Sequence, residues 1–217
     1  MGKDYEINLD ATVDATPAQI WDAIATGPGM TTWFIGRTDI DGNTVRTAFG
    51  DNWIPTGTIK TKDQPQHFAY ESERAPDGRF SAYEFLIEGR DHSATVLKSV
   101  TSGFLPGDDW ADEYEAMQYG TQLFFATLVE HLRHYPGQTA TPVTAFGPPV
   151  TDWDATWKAL HEKLGDATVY YSNPHTLGLR TPTGLHRYIR GFHGALVADH
   201  ALYTPDDTDW TAFLHTL

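Results

Sequence analysis

Hydrophobic and polar residues alternate strictly over residues 5–13, where Ile7, Leu9, Ala11 and Val13 are interleaved with Glu6, Asn8, Asp10 and Thr12. A period of two is the mark of a strand with one face on a core. Thr16-Pro17-Ala18-Gln19 follows and carries a helix start: a capping hydroxyl, proline at the first helical position, and a glutamine that closes a capping box. Ile20, Trp21 and Ile24 give that helix one apolar face, and Gly27-Pro28-Gly29 is expected to end it. Between residues 37 and 104 the pattern predicts a run of strands broken by Asp41-Gly42-Asn43, Pro55-Thr56-Gly57, Asp63-Gln64-Pro65, Pro76-Asp77-Gly78 and Gly89-Arg90-Asp91. The strands read from it include Gly57–Thr61, His67–Glu73, Phe80–Glu88 and Ser93–Thr101. Such close spacing leaves no room for crossover helices, so the sheet is expected to be antiparallel.

The longest helical pattern runs over residues 108–134. Trp110, Tyr114, Met117, Thr121, Phe124, Leu128 and Leu132 recur at intervals of three and four. Asp108 is the expected N-cap, and Asp109, Asp112 and Glu113 place negative charge in the positive first turn. About 26 residues at 1.5 Å each span roughly 39 Å, enough to cross a whole sheet. Beyond it, residues 139–149 read as a Pro/Thr-rich connector. Trp153, Trp157, Leu160 and Leu164 share a helix face behind the capping sequence Thr151-Asp152-Trp153-Asp154. Strands are expected at Ala167–Tyr171, Leu185–Ile189 and Ala195–Tyr203, with a short helix at Asp206–Leu217. The fold class is therefore α+β: a domain over residues 1–138 and an α+β extension over residues 139–217. Trp153, Trp157 and Trp210 require that extension to pack on something.

Composition narrows the function classes. With 15 Lys and Arg against 29 Asp and Glu, the net charge is −14. Nucleic-acid binding, which needs clustered cations, is not expected. The absence of cysteine excludes disulfides, thiol nucleophiles and thiolate metal sites. No stretch has signal-peptide or membrane-spanning character, so the expectation is a cytoplasmic protein without membrane insertion.

Strand, short capped helix, antiparallel strands and one long helix is the order of the START-like superfamily, the helix-grip fold. Within it the sequence resembles the bacterial homologues of the activator of the Hsp-90 ATPase. The resemblance rests on Pro17-Ala18-Gln19-Ile20-Trp21-Asp22-Ala23-Ile24, Thr32-Trp33-Phe34, Thr95-Val96-Leu97, Thr101-Ser102-Gly103-Phe104, and Tyr119-Gly120 before Leu123 and Leu128. These cover about residues 5–137. Leu185–Ile189, His200-Ala201-Leu202-Tyr203 and Trp210 resemble, more loosely, the extension of longer actinobacterial-type members. The resemblance implies a curved sheet wrapped on the long helix, with a cavity between them that often holds an apolar or aromatic molecule. It does not imply one chemistry.

The candidate chemistry is sparse. Gly-x-Ser-x-Gly, P-loop and Gly-x-Gly-x-x-Gly motifs are absent. His131 and His134 stand three apart on the long helix without an evident third ligand, so no metal or other cofactor is expected. His186, His193 and His200 are spaced by seven, which does not fix a common strand face. Glu84 and Glu88 alternate against Tyr83, Phe85 and Ile87 and are expected outside the cavity. Aromatic side chains are the informative set. Trp33, Phe34, Trp53, Tyr70, Tyr83, Phe85, Tyr114, Met117, Thr121 and Phe124 are the expected ligand-contacting residues. The expected role is non-catalytic binding of a small apolar or aromatic molecule. A cyclase- or hydrolase-type enzyme using a cavity acid or histidine is the alternative, and a chaperone-cofactor role, which the family name suggests, is a third. Homodimerisation is compatible with all three.

Overall fold

A computed structural model describes residues 2–89, 94–108, 110–191 and 194–217. Its first strand, β1 (Lys3–Val13), turns Tyr5, Ile7 and Val13 inward, as the alternation requires. Thr16 caps α1 (Pro17–Ala25): its Oγ1 accepts from the Gln19 amide at 3.3 Å, and Gln19 Oε1 accepts from the Thr16 amide at 2.9 Å. The Gly27-Pro28-Gly29 stop expected from the sequence is instead the start of a second short helix, α2 (Gly27–Thr31). Thr26 caps it, accepting from the Gly29 amide at 3.1 Å, and Pro28 sits where a missing N–H costs nothing.

Seven strands follow: β2 (Arg37–Asp41), β3 (Thr44–Phe49), β4 (Asn52–Trp53), β5 (Gly57–Asp63), β6 (His67–Ser72), β7 (Phe80–Gly89) and β8 (Thr95–Leu105). They join β1 in an antiparallel sheet of order β1-β8-β7-β6-β5-β3-β2, with β4 paired to β3. The first and last strands of this sheet in chain order, β1 and β8, therefore lie side by side, from Lys3 opposite Leu105 to Val13 opposite Thr95. Gly36, at φ 59°, makes the turn into β2; a Cβ there would stand 1.9 Å from the Ala48 carbonyl, so only glycine fits.

The long helix is α3 (Trp110–His134). It lies across the concave face of this sheet, and Phe124, Leu128, Val129 and Leu132 join the core with Ile20, Trp21, Trp33, Phe68 and Phe85. Asp112 and Glu113 occupy the first turn; Asp109 lies outside the described residues.

The remainder builds a second antiparallel sheet. Its strands are β9 (Thr141–Pro149), β10 (Thr168–Asn173), β11 (Thr176–Thr181), β12 (Gly184–Arg190) and β13 (Ala195–Leu202), in the order β10-β11-β12-β13-β9. The expected connector at residues 139–149 is thus largely a strand. Its three prolines misled the pattern, yet β9 is an edge strand, where a missing donor is tolerated. Helices α4 (Trp153–Lys163) and α5 (Trp210–Leu214) cover the outer face of this sheet, burying Leu160, Tyr188, Trp210 and Leu214. The tryptophans of the extension find their packing partners here.

Helix α3 is therefore held between two sheets. Its second face bonds to the second sheet: Thr127 to the Tyr170 hydroxyl at 2.8 Å, Gln122 to Tyr171 at 2.9 Å, Glu130 to Arg180 at 2.7 Å and His131 to Tyr203 at 2.7 Å. Buried Glu130 and His131, which read as part of a histidine-rich helix end, belong to this interface.

Candidate ligand-binding cleft

A cleft of about 750 Å³ opens where the first sheet, the N-terminal half of α3 and the second sheet meet. Its floor is the concave face of β7 and β8, carrying Tyr83, Phe85, Ser99 and Thr101. Register fixes the set: Tyr83 lies opposite Thr101 and Phe85 opposite Ser99, so all four project the same way. Trp33 and Phe34 enter from the segment after α2. Their rings lie 5.4 Å apart; Trp33 stands edge-on to Phe85 at 5.7 Å, and Phe34 contacts both Tyr83 and Phe124 at 5.6 Å. Met117, Gly120, Thr121 and Phe124 form the helix side. The opposite wall comes from the second sheet, through Phe146, Ile189 and Val197.

Two buried charges fix that wall to the aromatic segment. Arg187 of β12 and Asp199 of β13 are both fully buried and pair at 2.9 Å. Arg187 donates to the carbonyl oxygens of Trp33 and Phe34, the latter at 3.0 Å, and through Nε to the Asp199 carbonyl at 2.6 Å. Asp199 Oδ1 accepts from the Gly36 amide at 3.1 Å. Burial raises the Asp199 carboxyl above its ordinary range, and Arg187 pulls it back. Buried charges are tolerable only with such partners. The guanidinium also stands 5.5 Å from the Phe124 ring.

Ionisable groups gather at the rim. Asp112, Glu113, Glu115, His175 and Arg190 border the opening. Glu113 pairs with Arg79, and Glu115 stands 3.9 Å from His175. On the floor the polar groups are neutral hydroxyls. Burial pushes the Tyr83 phenol well above its usual range, so it stays protonated.

Seven of the ten residues expected from the sequence line this cleft: Trp33, Phe34, Tyr83, Phe85, Met117, Thr121 and Phe124. Tyr70 stacks on Tyr83 at 4.8 Å but borders an adjoining pocket of about 210 Å³, where its buried hydroxyl has no hydrogen-bond partner. Tyr114 lies outside both pockets, packed 6.2 Å from Tyr5 on the β1 side of α3. Trp53 is 46% exposed on short strand β4, beneath Arg46 at 4.5 Å and Arg37 at 5.4 Å. The inward placement expected for it is wrong, because a two-residue strand pairing only with β3 leaves its ring on the rim of the sheet. Ser99, Thr101 and the second-sheet wall were not expected. Alternation along β8 carried the signal for the hydroxyls, whereas nothing local marks the wall.

The histidines have structural settings. His186 and His200 meet at 4.8 Å beneath Trp210, on the face of the second sheet turned away from the cleft, while His193 lies outside the described residues. Among the described residues no group of three or more metal-ligating side chains is gathered. Nor is any described helix long and apolar enough to cross a membrane. Glu84, on the convex side, bonds to His67 at 2.7 Å.

No protein-family model and no curated protein matches the sequence. Solved structures do resemble it. A Staphylococcus aureus protein of unknown function superposes with a TM-score of 0.52 at 14% identity, covering 60% of this chain and 94% of that one. The Aha1 dimer from Colwellia psychrerythraea gives 0.49 at 17% identity, covering 60% and 97%. At such identities the likeness concerns the fold. Together with the sheet order and the helix laid across it, it makes this chain an α+β protein of the helix-grip fold.

Proposed function

We propose that the protein binds a small apolar or aromatic molecule in the cleft, without chemistry on it. The observation that carries this reading is the cleft itself: about 750 Å³ of space bordered by Trp33, Phe34, Tyr83, Phe85, Met117 and Phe124. Ligand sites are typically concave, mostly apolar and a few hundred to a thousand Å³, with a few placed polar groups. A core of purely structural purpose packs to near-crystalline density and leaves no such volume. In this reading residues 1–138 form the grip domain, and residues 139–217 are an added unit that walls its cavity.

A thermal-shift screen of the purified protein against aromatic polyketides, fused-ring aromatics and fatty acids tests it. A ligand at one hundred times its Kd is expected to stabilise the fold by about 2.7 kcal/mol. A screen in which no class raises the melting temperature in a concentration-dependent way would remove the reading.

A further inference from the structure

Two side chains on the cleft floor have no structural employment. Ser99 and Thr101 are 6% and 2% exposed, yet neither hydroxyl has a hydrogen-bond partner among the described residues. Some buried hydroxyls elsewhere are satisfied, Thr127 by Leu123 O and Tyr170, Thr38 by Thr47 and Thr95 by Ala15 O, whereas those of Tyr70, Thr176 and Tyr188 are sealed away without a partner. The hydroxyls of Ser99 and Thr101 are not among those sealed orphans: they border the cleft, where a bound molecule can pair with them. The two stand one step apart on the same face of β8, flanked on β7 by Phe85 and Tyr83. They form a short polar strip in an otherwise aromatic floor.

We propose that Ser99 and Thr101 are the specificity-determining anchor of the cleft. They receive a ligand with an aromatic body and an oxygen-bearing edge, a hydroxyl or carbonyl. The inference rests on the binding reading above and deepens it. A hydroxyl both donates and accepts, so the pair fits either ligand oxygen. The aromatic body lies between Phe85 below and Phe124 above, and the oxygenated edge points to β8. A bare hydrocarbon of the same shape would leave both hydroxyls dry and unpaired, which is how a polar site discriminates against an isostere.

The test compares 2-naphthol with 2-methylnaphthalene, probes matched in shape that differ in the oxygen. Kd values are measured by tryptophan fluorescence for the wild type, Ser99→Ala, Thr101→Val and the double variant. The ratio of the two Kd values is expected to move towards the hydrocarbon by about fivefold per hydroxyl removed, the usual net worth of one hydrogen bond. The melting temperature is expected to hold, because each substitution removes a cleft-facing hydroxyl that bonds to no other described group. A Kd ratio that stays the same in all four proteins, while both probes bind, would overturn the anchor and leave the binding reading standing. Loss of stability in the variants with an unmoved ratio would assign the hydroxyls to the fold and overturn it equally. A wild type that binds neither probe would overturn this inference, while the thermal-shift screen decides the binding reading separately.

Discussion

Arg187 and Asp199 show how single residues tie the second sheet to the cleft. Removing one partner strands a buried charge, so Asp199→Asn or Arg187→Met is expected to destabilise by about 3–5 kcal/mol in urea unfolding. Replacing both by apolar residues should recover part of that loss; a double variant no better than the worse single would show that the carbonyl bonds of Arg187 dominate. The histidines set a pH dependence. Burial lowers His131 and His186 to about 4 and His200 well below its ordinary 6.5. The unfolded chain then binds more protons than the folded one below about pH 6.5. Stability is fully present above that value and falls as pH drops towards 4, by about 1.4 kcal/mol per pH unit for each histidine. Asp199, raised by burial, works in the opposite sense. Urea midpoints measured from pH 7.5 to 4.5 check this, and His186→Gln should flatten the slope; a pH-independent midpoint would contradict it.

At the scale of elements, legibility in the sequence followed locality. β1, the capped α1 and the stripe of α3 were readable because each signal repeats every two, three or four residues within one element. Strand β9 was not, because Pro142, Pro148 and Pro149 argue against a strand unless it is known to lie at a sheet edge. The second face of α3 was hidden too: Gln122, Glu130 and His131 look like a solvated face until Tyr171, Arg180 and Tyr203 arrive from 49 to 72 residues away. Likewise Tyr83 and Phe85 reached the cleft by strand alternation and Met117, Thr121 and Phe124 by helical spacing, while Trp53 depended on how long β4 would be. One contact between α3 and the second sheet gives a direct check. A Cβ on Gly178 would stand 2.5 Å from the Tyr170 ring, whose hydroxyl bonds to Thr127. Gly178→Ala is expected to cost about 1–3 kcal/mol through displacement of that ring. An unchanged melting temperature would mean the ring has room to move.

For the whole molecule, the second sheet has two roles: it covers α3 and it completes the cleft. A fragment ending at residue 138 would bare Leu123, Thr127 and Glu130, which are buried in the full chain. It is expected to aggregate or to melt well below the full protein, and a fragment of equal stability would show the grip to be self-sufficient. In the proposed function the space between β8, α3 and the second sheet is a binding site rather than a packing defect. Thr121 borders that space from the helix, so Thr121→Trp narrows it while keeping Ser99 and Thr101 themselves unchanged. Calorimetric titration of 2-naphthol into the wild type and this variant is the most direct measurement. Saturable one-to-one binding by the wild type, weakened at least tenfold in a folded Thr121→Trp, is the predicted result. Equal affinity in both proteins, or no saturable heat in the wild type, would contradict it.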